Sequence, residues 1–592
     1  MRQTTRPTLR GTFGMVASSH WLVSSVAMGV LERGGNAFDA AVAGAFMEHV
    51  VEPNENSPGG DANILFASAA DNVPTVLCGQ GPAPAGATID HYTGLGLRAV
   101  PGTGTLAAAI PGAVVAWLTL LHDHGTMTLR EVLDPAIGYA ADGHPIIADI
   151  STKVAGMEEM FRSEWTTSAE LYLTRGRPPL PGEMHRNPAL AAMWQRLLAE
   201  AEAGTSDRDA QIERARRIWS EGFVAEEIDA FARRPVMDSS GQRHAGVLTG
   251  ADLAGWRAPY ESALTYRYGD WTVAKAGPWA QSPVFLQQLA LLPDPGQLDY
   301  GSADLVHRVV EGVKLAFADR EAWYGDGYDT PIDGLLSEDY NKDRRDLIGP
   351  DASADLRPGS PGGRIPTLPA YLQAGAPERP ATPGTGEPGE DFVGRKSDGD
   401  TCHFDVVDRW GNMVSGTPSG GWLHGNPVIP GLGFPLGTRL QMTWLEPGFP
   451  TSLTPGRRPR TTLSPCLALR DGVAAMAFGV PGGDAQDQWA YNFFLGVAVG
   501  GLSLQEAADA PGWHTMSFPN SFYPRKSQPA SLFLEERHPA HVVDELRRRK
   551  HDVTVVEPWS LGRLAAVARD PETGVLSAAA SPREMRAYAV GR

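Results

Sequence analysis

Alternating apolar and polar positions mark the strands of this chain, and apolar positions three and four apart mark its helices. Gly14-Met15-Val16-Ala17-Ser18 reads as a short strand. A helix follows from about Trp21 to Arg33 and stops at Gly34-Gly35, where the missing Cβ lets the backbone turn out of the helix. Asn36 then caps a second helix carrying Ala37, Ala40, Ala41, Ala45, Phe46 and His49, a narrow small-residue stripe suited to close packing on a sheet. Glu52 to Gly60 is a loop. Helical spacing returns over roughly 112–143 and 188–234, and Thr249 opens a further helix. Tyr266-Arg267-Tyr268 and Trp271-Thr272-Val273-Ala274 read as strands, and helices follow Pro283 and span Lys314 to Arg320.

From Pro358 to Glu390 the pattern lapses into a Pro, Gly, Ala and Thr rich stretch that reads as a flexible linker. It leads through Ser397-Asp398-Gly399-Asp400 to Thr401, where alternation resumes: Cys402, Phe404 and Val406 fall on one side, His403, Asp405 and Val407 on the other. A turn at Arg409 to Asn412 leads to a strand from Met413 to Gly416, then a long Gly and Pro loop to about Arg460. Strands near Leu467–Arg470 and Ala474–Phe478, helices at about 486–499 and 503–510, and a hairpin from Arg563 to Ala580 complete the reading.

A threonine placed where a loop becomes a strand has a chemical use if the peptide bond before it is cut. It then carries a hydroxyl beside a free α-amine of reference pKa about 7.7–8.0, so that one residue is both nucleophile and base. The linker suits that use, because the segment before the nucleophile has to strain its last peptide bond and then move away.

Composition narrows the choice. The 592 residues, 42% hydrophobic and 20% charged, are ordinary for a soluble protein with a large core and room for more than one domain. A net charge of −18 argues against a nucleic-acid surface or a polyanionic substrate. Cys78, Cys402 and Cys466 are too few for a disulfide framework, and no Cys-x-x-Cys pair offers a zinc or redox site. The amino-terminal residues lack an apolar signal core and no run approaches 18 apolar residues, so the expectation is a cytoplasmic protein that makes no membrane contact. Gly-x-Ser-x-Gly, His-Glu-x-x-His and Walker sequences are absent. Gly102 to Ala107 reads as a turn, His122, His124, His538 and His541 as solvated side chains, and Cys402 as core; no metal or cofactor is expected.

Four blocks sharpen the reading: Thr401-Cys402-His403-Phe404, Thr417-Pro418-Ser419-Gly420-Gly421, Arg460-Thr461-Thr462-Leu463-Ser464-Pro465, and Phe478-Gly479-Val480-Pro481-Gly482-Gly483-Asp484. With Gly34 to Ala43, Gly59-Gly60 and Lys314 to Arg320, their order and spacing resemble the γ-glutamyltransferase family of N-terminal-nucleophile hydrolases. The resemblance implies an α+β fold, a four-layer αββα sandwich built jointly by two cleavage products, 1–400 and 401–592, as one intertwined domain. It implies autocleavage between Asp400 and Thr401, Thr401 as nucleophile, Ser419 holding the nucleophile's oxygen, and Gly482 and Gly483 presenting N–H groups to the oxyanion. Thr461 and Thr462 match two serines that bind the substrate carboxylate. Elsewhere the chain departs from the pattern: Ile89 stands where the family has the carboxylate-binding arginine, Gly421 where it has an asparagine, Arg439 where it has Gln or Glu, and Met442 where it has an aspartate. The expectation is therefore a hydrolase or acyltransferase acting on a small-molecule amide other than a γ-glutamyl compound, of the cephalosporin acylase or oxamate amidohydrolase kind, with Arg439 among its substrate-binding residues. The expected partners are the two subunits of its own precursor and a possible second copy in a homodimer. The alternatives are a true γ-glutamyltransferase or glutathione hydrolase, and an unprocessed, inactive paralogue that only binds a ligand.

Overall fold

The computed structural model describes residues 4–293, 299–372 and 401–592. Fourteen strands build its two large sheets. Before residue 401 these are β1 (Leu9–Gly11), β2 (Gly14–Ser18), β3 (Asp61–Ala67), β4 (Thr75–Cys78), β5 (Tyr260–Ser262), β6 (Leu264–Tyr268) and β7 (Trp271–Lys275). After it come β8 (Phe404–Asp408), β9 (Met413–Ser419), β10 (Cys466–Arg470), β11 (Val473–Gly479), β12 (Ala565–Arg569), β13 (Leu576–Ala580) and β14 (Tyr588–Gly591). Each sheet has seven strands, ordered β14-β2-β8-β9-β3-β4-β5 and β1-β13-β12-β11-β10-β7-β6. Every pairing within both sheets is antiparallel.

Each sheet mixes strands from both sides of residue 401. In the first, β8 lies between β2 and β9, and β9 lies between β8 and β3. Alternation along these strands decides which apolar side chains go where. Met15, Ala17, Leu65, Val407 and Met413 share one cluster with Ala274, Leu467, Ala477, Val567 and Ala578 of the second sheet. Val16, Ile64, Phe66, Phe404, Val406 and Val414 turn the other way, into a cluster with several helices, among them α1 (Trp21–Glu32), α2 (Ala37–Val51), α3 (Ala113–His124) and α4 (Leu129–Asp142). On the second sheet Val273, Ala468, Met476, Phe478 and Ala566 meet α5 (Pro283–Leu291), α6 (Ala303–Trp323) and α7 (Gln486–Ala498). Strands buried on both faces have little need of polar residues, which is why β11 reads as an unbroken apolar run.

Several elements depart from expectation. The α2 cap is a full capping box, with Asn36 accepting from Phe38 and Asp39 while Asp39 accepts from Asn36. Yet α2 has no solvent face; all its residues are buried, because helices cover the sides that the sheet leaves open. β9 runs on through Pro418 to Ser419, three residues past the expected end. Proline is tolerated there because its carbonyl, not an N–H, is what Cys402 uses. His538 is not solvated: it is buried, with Nε2 3.2 Å from the Gly512 carbonyl, while the half-exposed His124 packs one side on Phe38, Phe66 and Tyr260. The expected linker is anchored at its start, where the Gly359 N–H donates to Asp319 and the Gly359 carbonyl accepts from Trp323; residues 373–390 and Asp400 lie outside the described residues. Strand β14 and the three-stranded sheet of Trp513–His514, Ser531–Glu535 and Asp552–Val556 were not expected.

Candidate active site

Thr401 sits three residues before β8, buried, in an isolated antiparallel bridge to Ser419 at the far end of β9. The Cys402 N–H donates to the Pro418 carbonyl at 3.0 Å and the Ser19 N–H to the His403 carbonyl at 2.9 Å, so both flanks of this segment are fixed. The two hydroxyls, Thr401 Oγ1 and Ser419 Oγ, are 3.3 Å apart. On the other side of Ser419 lies Asp61, its register partner on β3. The backbone crowds closely here. A Cβ on Gly60 would lie 2.2 Å from the Ser419 carbonyl oxygen, and one on Gly421, at φ +63°, would lie 2.0 Å from Ser57 Oγ. These glycines are needed because side chains would push the strand ends apart.

The second sheet meets the Thr401 segment through β11, the strand that leads to Gly482 and Gly483. β11 ends at Gly479, where a Cβ would fall 2.3 Å from the His403 ring. Two residues beyond Thr401 the sheets are thus in backbone-to-ring contact. Gly482 adopts φ 130° and Gly483 φ 52°, leading into a 3-10 turn and then α7. Free N–H groups at the start of a helix lie at the positive end of its dipole, where negative charge is stabilised. Asp484 locks the turn through Arg320 and both the N–H and hydroxyl of Ser521.

Behind the Thr401 backbone lies a buried cluster of charges that sequence reasoning did not reveal. Arg563 donates to the Thr401 carbonyl at 3.3 Å and to Glu55 at 3.0 Å. Arg586 reaches Glu52 at 3.2 Å and also binds Glu55, and the Ser19 hydroxyl donates to Glu52 at 2.8 Å. Glu48, one turn earlier on α2, has neither carboxylate oxygen hydrogen-bonded. Burial pushes its carboxyl well above the usual carboxylate range, and Glu52 and Glu55 push it further. Burial also raises Glu55, against the pull of Arg563. The Cys402 thiol is raised by burial and by the neighbouring glutamates, which keeps it protonated and a poor nucleophile. His403 is held between Thr417 at 2.8 Å and Asp405 at 2.9 Å, with no exposure.

With this geometry in view the comparisons decide the relationship. The gamma-glutamyltranspeptidase family matches residues 23–591. This chain belongs to that family. It is 31% identical to the oxamate amidohydrolase proenzyme of Klebsiella pneumoniae subsp. pneumoniae over 98% of each chain. A solved structure of LmbA2991 is 61% identical, covers 100% of both chains and superposes with a TM-score of 0.95. The cephalosporin acylase of Bacillus halodurans is 25% identical with a TM-score of 0.83, over 100% of this chain and 97% of that one. As a gamma-glutamyltranspeptidase family member the chain is a hydrolase or acyltransferase, of a family whose nucleophile is a threonine.

Within this family fold the rim of the site carries unusual chemistry. Arg439 is buried on a short 3-10 turn, Arg439–Met442, and its Nε lies 3.0 and 2.9 Å from the two carboxylate oxygens of Asp61. Its guanidinium faces Trp422 at 5.0 Å and Phe522 at 6.0 Å, and Met442, three residues on, completes that apolar cluster. Asp61, Trp422 and Phe522 have no helical or strand periodicity to mark them; of the three only Asp61 had a signal, its place directly after Gly59-Gly60. Thr461 forms a bridge to Ala280 and accepts from the Leu463 N–H, while Thr462 Oγ1 is buried with no hydrogen-bond partner. Ile89 starts the short helix Ile89–Gly94 and packs on a cluster that includes Leu440, the neighbour of Arg439.

Among the described residues, two groups of side chains have ligand types suited to a metal: Glu48, Glu52 and Cys402, and, far from Thr401 in sequence, His307, Glu311 and His551. In the second, the two imidazoles are hydrogen-bonded to each other at 2.8 Å, and Glu311 is paired with Lys314 at 2.6 Å and Arg357 at 3.2 Å. Those cations oppose a bound metal ion.

Proposed function

We propose that the chain is an autoprocessing amidohydrolase of the gamma-glutamyltranspeptidase family, with Thr401 as nucleophile and an acyl specificity other than γ-glutamyl. The observation that carries the reading is the 3.3 Å pairing of Thr401 Oγ1 with Ser419 Oγ, across the bridge that joins their backbones. In the precursor, Thr401 Oγ attacks the carbonyl carbon of Asp400; the C–N bond breaks, nitrogen takes the proton, and the resulting ester is hydrolysed. Residues 1–400 and 401–592 become separate chains of one interleaved body, stacked as four layers of helix, sheet, sheet and helix. The freed α-amine then takes the hydroxyl proton as Thr401 attacks a substrate amide and passes it to the leaving amine. Water finally cleaves the acyl ester. Ser419 steadies the attacking oxygen, and the N–H groups of Gly482 and Gly483 meet the oxyanion, such donors being worth about 2.7–4 kcal/mol each. The names of the relatives, an oxamate amidohydrolase and a cephalosporin acylase, support amide hydrolysis with a non-glutamyl acyl group. So do Ile89, Gly421 and Met442, which offer no charge to a substrate's carboxylate or ammonium.

Thr401→Ala is expected to leave a single full-length band on a denaturing gel and to lower turnover of oxamate or glutaryl anilides at least about 10³-fold. Mass spectrometry of the wild-type small chain after incubation with an amide panel is expected to find its amino terminus at Thr401, carrying the acyl group. Efficient turnover by the Thr401→Ala chain, or a wild-type chain that stays whole yet turns over, would remove the basis of this reading.

A further inference from the structure

Resting on the reading of Thr401 as nucleophile, we propose that Arg563 is a positioning residue for it: Arg563 holds the Thr401 carbonyl, so that the hydroxyl stays aimed once cleavage has made Thr401 a chain end. The starting point is one peptide plane. On one edge the Cys402 N–H donates to the Pro418 carbonyl at 3.0 Å, and on the opposite edge the Thr401 carbonyl accepts from Arg563 Nη2 at 3.3 Å. With that plane fixed at both edges, ψ and χ1 are what remain to orient the amine and the hydroxyl, and the branched Cβ of threonine restricts χ1. Residues at a chain end fray unless they are tied down. The bond to Arg563 lies on the side of Thr401 that cleavage leaves intact.

Arg563 can hold that carbonyl because it is itself held. It is 2% exposed; Nη1 and Nη2 both lie 3.0 Å from one oxygen of Glu55, and Nε lies 3.1 Å from Glu584. Burial works against its charge, but the neighbouring carboxylates, Glu55 first, outweigh it, so the guanidinium keeps its donors. Arg586 takes the other oxygen of Glu55 and reaches Glu52 at 3.2 Å. Glu52 in turn accepts from the Ser19 hydroxyl at 2.8 Å, and the Ser19 N–H donates to the His403 carbonyl at 2.9 Å. These contacts form a closed circuit that leaves the nucleophile's segment at Thr401 and returns to it at His403. Ser19, Glu52 and Glu55 come from before residue 401, and Arg563 and Arg586 from after it, so a cut between 400 and 401 breaks no link of the circuit. Arg563 touches the backbone of Thr401 rather than the reacting atoms, and a misplacement of reacting atoms by about 1 Å costs about 10²-fold in rate.

The test sets Arg563→Met against Arg586→Met. Both variants take a buried guanidinium away from Glu55, so a purely structural role predicts equal damage from each; of the two, Arg563 is the one that bonds Thr401. Self-cleavage is followed on denaturing gels and needs no substrate, turnover of a glutaryl anilide gives kcat and KM for the mature enzymes, and thermal melts report stability. Arg563→Met is expected to slow self-cleavage and to lower kcat by about 10–100-fold, with KM within about threefold of wild type. Arg586→Met, at a similar loss of melting temperature, should stay at least about fivefold faster than Arg563→Met in both steps. Equal rates in the two variants, or an Arg563→Met enzyme that matches wild type, would overturn the assignment. Where methionine prevents folding, a crystal structure of the mature wild-type enzyme decides: a Thr401 carbonyl still bonded to Arg563 after the cut supports the proposal, and one turned away from it overturns it. An acyl group found on a residue other than Thr401 in the wild type would sink the nucleophile itself, whereas an acyl group on Thr401 with wild-type rates in Arg563→Met would sink Arg563 alone.

Discussion

At the scale of single residues, the site depends on positions where no side chain can stand. Gly482 combines φ 130° with a Cβ position 2.4 Å from the Trp489 ring. Substituting alanine therefore forces both a disfavoured backbone conformation, costing about 1–3 kcal/mol, and a displacement of the turn that carries the N–H groups proposed to meet the oxyanion. Gly482→Ala is expected to lower kcat by about 10²–10³-fold with a much smaller change in KM, because the donors act on charge that develops after binding. Single-turnover kinetics measure this directly, and an unchanged acylation rate would place the oxyanion donors elsewhere. Thr401 was legible at this scale as the residue where a linker becomes a strand. Arg439 was legible only as a departure from the family pattern; its partner Asp61 lies 378 positions away and no local pattern connects them.

At the scale of elements, α2 shows what periodicity misses. Its capping box could be read from Asn36 and Asp39, but a stripe of small residues predicts one buried face, and the helix is buried on all sides. The consequence falls on Glu48, held in the interior with both oxygens unpaired and its carboxyl raised well above the usual range by burial and by Glu52 and Glu55. A carboxyl raised in the folded state favours folding below its unfolded value, and this contribution is lost as pH rises through the folded value. Glu48→Gln removes the group that resists ionisation, so it should stabilise the protein at pH 8, with the gain shrinking toward pH 4. Thermal melts at the two pH values check this. A gain that grows on acidification would contradict the burial argument.

At the scale of the whole molecule, the interleaving of strands governs what cleavage can do. β8 is flanked by β2 and β9, β10 by β7 and β11, and β14 closes on β2, so strands from both sides of residue 401 pair in each sheet. Met15, Leu65 and Ala274 from before residue 401 share one apolar cluster with Val407, Leu467 and Ala578 from after it. The two products are therefore expected to co-elute in native chromatography and to unfold in one transition, parting only in denaturant. Separation of an isolated, folded 401–592 piece under native conditions would contradict this topology.

Local sequence was enough to set where most elements begin and end, because caps, glycine stops and apolar spacing act within a few residues: Asn36, Gly34-Gly35 and the turn before Met413 were all readable. It also pointed to the threonine, the serine eighteen residues on and the paired glycines, since their spacing fits the family pattern. Packing between distant segments was needed to establish that Ser419 extends β9 to meet Thr401, that Gly479 passes over His403, and that Arg439 spends one donor on Asp61 and keeps another unfilled. Those are contacts between segments tens to hundreds of residues apart, set by which sheet faces pack together, and local propensity carries no information about them.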